Sequence, residues 1–291
     1  DSNKDEDKED SNKDEDKDKE DCDNFYGQSK KEGRKLLIDW TKKSGGIFTG
    51  LVIPNVFGPF GNPYYNSVVA TFSHQLTHNE KPKIDLDGRL KLIYVGELIN
   101  EIYRVILDAK GCPELKLDYT SEIKVSELLE KLNSYKDQYL NNGAIPELNT
   151  TFEKNLFNTY RSYIDYKSFF PYNLKQHVDD RGTFVEIIRT LSSGQVSSST
   201  TKPGLTRGNH FHTRKIERFT VIKGKALIRI RRIGTNNILD FKLDGDKPAF
   251  VDMPIWYTHN ITNIGSDDLY TQFWTNEFYD SSKSDTYFEK V

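Results

Sequence analysis

Apolar and polar positions divide the chain into three textures. Up to residue 23 there is no aromatic or aliphatic side chain, and Ser2-Asn3-Lys4-Asp5-Glu6-Asp7-Lys8 recurs as Ser11-Asn12-Lys13-Asp14-Glu15-Asp16-Lys17. Such a run cannot bury enough apolar surface to offset its ordering entropy, so 1–23 reads as a disordered acidic low-complexity segment. From Phe25 the spacing changes. Leu36, Leu37 and Trp40 share one side of 26–43, opposite Lys, Arg and Asp, which predicts an amphipathic helix closed by Gly45-Gly46. A buried strand is predicted over 47–53, stopped by Pro54. Helices follow over 66–78, 99–107 and 125–140, with a short strand over 90–95. Helix alternating with strand predicts an α/β region over 24–150. After an aromatic, Asn-rich connector, 151–176, short β-rich runs punctuated by glycines predict an all-β sandwich or barrel over 177–291.

Composition changes this picture in one respect. The formal net charge of −3 hides a run, 1–23, with 13 acidic residues and 5 lysines, net −8, on a body of +5. A mildly basic body without a Lys/Arg block gives no argument for nucleic acid. No apolar run approaches the ~20 residues that cross a bilayer, and no signal-peptide pattern is present. The two cysteines, Cys22 and Cys112, form no framework. A reducing, cytoplasmic location is the expectation.

The candidate chemistry is concentrated near the C-terminus. His210 and His212 are two apart, so on a strand both project from one face. Glu217 follows after a turn's length, and His259 comes from a separate hairpin after Pro254. Three imidazoles and a carboxylate suit Zn, Fe, Mn or Ni rather than Mg or Ca. A lone His-x-His is more often structural, but here the spacing of Gly204, His210, His212, Glu217 and Gly224 resembles the first cupin motif. Gly245, Pro254, His259 and Asn263 resemble the second, with Trp256 where that pattern has Gly. The resemblance implies a double-stranded β-helix, or jelly-roll barrel, with these four residues as metal ligands.

The helix-strand part carries Tyr26-Gly27-Gln28-Ser29-Lys30, a Tyr-x-x-x-Lys that sets the two side chains one turn apart on one helix face. A lysine cation beside a phenol favours its ionised form and makes it a usable proton donor to a carbonyl. Followed by Pro54-Asn55-Val56-Phe57-Gly58 and Leu92-Ile93-Tyr94-Val95, this order resembles the C-terminal, substrate-side part of an extended short-chain dehydrogenase/reductase. That resemblance implies Tyr26 and Lys30 as catalytic residues. It implies Pro54, Asn55 and Val56 as cofactor contacts, given a nucleotide-binding half.

Taken together, Tyr65-Asn66-Ser67-Val68-Val69, Asp179-Asp180-Arg181-Gly182, Gly208-Asn209-His210, Tyr257-Thr258-His259-Asn260 and Asp285-Thr286-Tyr287-Phe288 resemble the CapF/WbjC-type bifunctional capsular-polysaccharide enzymes over about 24–291. The resemblance implies a zinc-bearing cupin that epimerises C3 of a UDP-2-acetamido-4-keto-6-deoxyhexose. It also implies NADPH-dependent reduction at C4 to a UDP-N-acetyl-L-talosamine-type product, by a homodimer. The chain departs from that pattern in lacking a Gly-x-x-Gly-x-x-Gly loop, which reads as loss of the N-terminal NADP-binding half and makes reduction by this chain doubtful. Two competing readings are an inactive sugar-binding or dimerisation relic and an unrelated cupin dioxygenase.

Overall fold

The computed structural model describes residues 25–180 and 182–291; the charged run and Arg181, in the middle of the Asp179–Gly182 motif, lie outside the described residues. Two compact units emerge. One uses the chain up to Phe57 and Ile84–Glu127, the other Gly58–Lys83 and Leu128–Val291.

The first unit opens with α1 (Phe25–Ser44), β1 (Thr49–Val52) and β2 (Asn55–Phe57). The chain then lends α2 (Val68–Thr77) to the second unit, where the Ser67 hydroxyl caps it by accepting from Ala70 N–H. Returning, it forms β3 (Arg89–Tyr94), α3 (Val95–Asp108), β4 (Cys112–Lys116) and β5 (Ser121–Lys124). β1 pairs with β4 in parallel, and β3 lies between β2, parallel, and β5, antiparallel. Phe57, Leu92 and Ile93 form the buried centre of that sheet. The apolar stripe that predicts α1 is present but exposed: Leu36, Leu37 and Trp40 all keep about half or more of their surface. Ile99, Tyr103 and Ile106 on α3 are exposed too. Among the described residues no helix is long and apolar enough to cross a membrane.

α4 (Val125–Tyr135) runs into a π-helical turn, Lys136–Asn141, so the single helix expected over 125–140 changes hydrogen-bond pattern midway. The stretch read as a connector carries α5 (Thr151–Arg161), α6 (Tyr166–Phe169) and β6 (Tyr172–Asn173). Its helical signal is a capping box: Thr150 Oγ1 accepts from Glu153 N–H while Glu153 accepts from Thr150 N–H. Leu156, Phe157 and Tyr160 then follow at helical spacing and are fully buried.

Beyond a hairpin of β7 (Gln176–Asp179) and β8 (Gly182–Val185), nine strands complete the second unit. They are β9 (Gln195–Thr201), β10 (Thr206–Phe211), β11 (Glu217–Lys223), β12 (Lys225–Arg232), β13 (Ile238–Asp244), β14 (Ala249–Met253), β15 (Tyr257–Asn263), β16 (Leu269–Thr275) and β17 (Tyr287–Phe288). Together with β6 they form two five-stranded antiparallel sheets, in the orders β6-β14-β11-β16-β9 and β13-β12-β15-β10-β17. Side chains alternate along β11. Glu217, Phe219 and Val221 turn toward the other sheet, where Phe219 meets the His259 ring edge-on at 5.7 Å. Arg218 turns the other way, toward the helical segment, where it donates to the Gly143 carbonyl at 2.7 Å.

Candidate metal centre

The residues singled out near the C-terminus come together between the two sheets. His210 is paired with His259 across β10 and β15, and their rings lie 4.6 Å apart. A bulge between Gly208 and His210 sets this pairing. Gly208 has φ +99, and a Cβ there would lie 2.8 Å from the His259 carbonyl oxygen, so only glycine fits. His212 sits just past the end of β10, and Glu217 opens β11.

One ligand atom from each of the four residues lies within 4.8 Å of every other. His212 Nε2 and His259 Nε2 approach Glu217 Oε2 to 3.0 and 3.4 Å. These are ion-pair distances without hydrogen-bond alignment: all three atoms are buried and lack a hydrogen-bond partner. Buried polar atoms are rarely left so. Three orphaned donor-type atoms converging on one point are what a cation would satisfy, so the set fits a metal ion.

The outer nitrogens of two ligands are held. His212 Nδ1 lies 2.5 Å from the Asp285 carbonyl oxygen and His259 Nδ1 lies 3.2 Å from that of Tyr257, contacts that orient each Nε2 inward. Burial, with His259 beside it, pushes the His210 pKa down to about 4, against the pull of Glu217, so this imidazole is neutral at pH 7. Burial also works against a charged His212, but the Glu217 carboxylate and the Asp285 carbonyl outweigh it and raise its pKa. For Glu217, burial favours the protonated acid; His212 and His259 overcome this and hold the carboxyl well below its usual range. His210 thus stands as the neutral imidazole, and Glu217 as the carboxylate, that a metal requires.

Trp256 occupies the turn where the cupin pattern has Gly, and it adopts φ +62, the left-handed conformation that glycine usually supplies. Its N–H donates to the His212 carbonyl at 2.8 Å. Its ring stacks on Phe211, which stacks in turn on Tyr287. The departure from the pattern therefore leaves the turn's conformation intact.

Tyr26 and Lys30 also meet, on α1 of the first unit: the Lys30 ammonium lies 5.3 Å from the Tyr26 ring centroid, and Tyr26 is half exposed. Asn55 and Val56 lie on β2, paired with Leu92 and Ile93, with Pro54 just before them. Asp285 is the residue that sequence reading missed. In the sequence it is only one position of a family motif, yet its contacts run to the segment between His212 and Glu217.

The C-terminal unit matches, over residues 177–287, the polysaccharide biosynthesis C-terminal domain family. Residues 4–114 match the NAD dependent epimerase/dehydratase family. The UDP-2-acetamido-2,6-beta-L-arabino-hexul-4-ose reductase of Pseudomonas aeruginosa is 34% identical over 270 residues, 92% of this chain and 72% of the reductase. The chain belongs to that reductase's family. The capsular polysaccharide assembling protein CapF of Staphylococcus aureus is 38% identical over 93% of this chain and 75% of CapF, with a TM-score of 0.53. A second crystal form of the same CapF is 36% identical over 89% and 76%, with a TM-score of 0.49. The resemblance read from motifs alone thus holds at the level of the family.

Proposed function

We propose that the C-terminal unit is a cupin that holds a divalent ion, zinc on the family resemblance, through His210, His212, Glu217 and His259, and that it epimerises C3 of a UDP-2-acetamido-4-keto-6-deoxyhexose. The observation that carries this reading is the convergence of three buried, unpartnered ligand atoms, His212 Nε2, His259 Nε2 and Glu217 Oε2. An ion bound there supplies positive charge beside a developing oxyanion. The chain's own residues fix where that charge sits. Phe219, buried and packed edge-on against His259 at 5.7 Å and Phe273 at 4.6 Å, gives that charge an apolar surround, in which electrostatic contacts are stronger than in water. The substrate class is supported by the Pseudomonas relative, whose name describes a UDP-linked hexul-4-ose. A ketone at C4 acidifies the proton on C3, so epimerisation there needs a base and a means of holding the enolate oxygen.

Given a nucleotide-binding half, reduction of the C4 ketone by NADPH is the second activity of this reading. Tyr26 would give its proton to the carbonyl oxygen while Lys30, one helical turn away, holds the phenol ready. Pro54, Asn55 and Val56 would line the cofactor, and the working form is a homodimer.

The deciding experiment follows solvent deuterium into C3 of the 4-keto sugar, with metal-loaded protein and no NADPH. Exchange by the wild type that is lost in His210→Ala and His259→Ala is the expected result. An absence of exchange in metal-loaded wild type would end the epimerase reading. NADPH consumption with the same sugar, measured with a nucleotide-binding half supplied, tests the reductase separately, and Tyr26→Phe is expected to abolish it.

A further inference from the structure

The Asp285-Thr286-Tyr287-Phe288 motif has no part in the chemistry above, yet its contacts run to the ligand positions. The Asp285 side chain is buried, and its carboxylate accepts from the N–H groups of Thr213, Arg214 and Lys215 at 3.0 to 3.3 Å and from the Thr213 hydroxyl at 2.6 Å. Those three residues are part of the short link between His212 and Glu217. The same residue's carbonyl takes His212 Nδ1. Its backbone sits at φ +44, a left-handed conformation that a β-branched residue would resist.

The following residues continue the pattern. Phe288 pairs with His210 and Tyr287 with Phe211 in the β10–β17 ladder. Glu289 N–H donates to the Asn209 carbonyl, beside His210. The Glu289 carbonyl accepts from the Thr258 hydroxyl, beside His259, and its carboxylate accepts from Arg231 at 2.9 Å. One strand end therefore touches His212 directly, pairs with His210, and holds the neighbours of His210 and His259.

We infer that Asp285 is a positioning residue of the metal centre, and that 285–290 forms a strap whose seating on β10, β15 and the 213–215 link sets the ligand geometry. The inference rests on the metal-binding reading above. It has a physical consequence: if the strap orders the ligands, metal and strap stabilise each other by the same factor. Loaded protein must hold residues 285–290 more tightly than stripped protein.

The test uses the full chain with cobalt(II) and zinc, competing against a chromophoric chelator. Asp285→Ala keeps the carbonyl that takes His212 Nδ1 but removes the carboxylate that holds the 213–215 link, and is expected to weaken metal binding about tenfold, the low end of the effect of losing an outer partner of a ligand. It is also expected to shift the cobalt d–d absorption bands. Asp285→Asn, which keeps the shape and one acceptor oxygen, is expected to fall between, and serves if the alanine variant does not fold. Phe241→Leu, buried on β13 of the same unit, is the control for lost stability alone and is expected to leave affinity and spectrum unchanged. Slower hydrogen exchange of the 285–290 backbone amides in the loaded protein is the reciprocal sign. Metal binding by the wild type with equal affinity in Asp285→Ala, or an equal loss in Phe241→Leu, would overturn the inference while leaving the metal site standing. Failure of the wild type to bind either ion would remove the metal reading itself.

Discussion

Arg218 and Asp252 meet on the face of the sheet opposite the metal centre. Nε and Nη2 of the arginine donate to the two carboxylate oxygens at 2.8 and 3.0 Å, and both side chains are sealed from solvent. Tyr139 donates to the same carboxylate at 2.6 Å, and the guanidinium lies 3.5 Å over the Phe250 ring. This pair ties the π-helical turn to the back of the strand that opens with Glu217. Removing one partner strands a buried charge, so Asp252→Ala is expected to cost about 3–5 kcal/mol of stability. Denaturant titration checks it; a loss under 1 kcal/mol would mean the pair contributes little.

Chelator treatment should lower the thermal midpoint of the wild type and leave that of His259→Ala almost unmoved. A ligand bound at a hundred times its Kd adds about 2.7 kcal/mol, several degrees for a unit of this size. Elemental analysis should return one ion per chain in the wild type and a small fraction of that in His210→Ala. Equal metal content in the two would place the ion elsewhere.

Gly208→Ala asks for a Cβ 2.8 Å from the His259 carbonyl at a φ of +99. The cost falls on the bulge that pairs His210 with His259, so loss of metal should outrun loss of stability. We expect at least tenfold weaker zinc binding, read by chelator competition, with a stability change of about 1–3 kcal/mol. An alanine variant with wild-type affinity would show that the bulge does not aim the ligands.

Glu153 offers a pH test away from the site. Burial favours its protonated form, but the ion pair with Lys131 at 2.9 Å and the N–H of Thr150 overcome this and lower its pKa. A carboxyl whose folded pKa is depressed contributes stability above its unfolded value, ~4.3, and loses it as pH falls through the folded value. The stability gap between wild type and Glu153→Gln should therefore be full at pH 7, begin to narrow as pH falls below the unfolded value, and close only below the depressed folded one. A gap constant with pH would assign the effect to capping geometry instead.

The parts of the fold legible in the sequence were those with local causes. Helix α2 announces itself through Ser67 and the Val69, Phe72, Leu76 stripe, and the strands of the second unit through Gly punctuation and alternation. That His210, His212, Glu217 and His259 come together was legible because the motif frame fixes their spacing, which in turn fixes facing. Helix α5 was harder to read: its Asn and Thr content hides a capping box and three fully buried apolar residues. Asp285 could not be read at all. Its role depends on a contact to residues about 70 positions earlier, which no periodicity encodes.

Strand β11 carries Glu217 toward the three histidines and Arg218 toward Asp252, with one peptide bond between the two environments. A single-residue insertion or deletion within that strand would exchange the faces of everything after it. A shift of pairing by one place would deliver a guanidinium among the three histidines in place of the carboxylate. Loops around this centre can lengthen or shorten, as loops commonly do, but the length of β11 is fixed by charge rather than by packing alone.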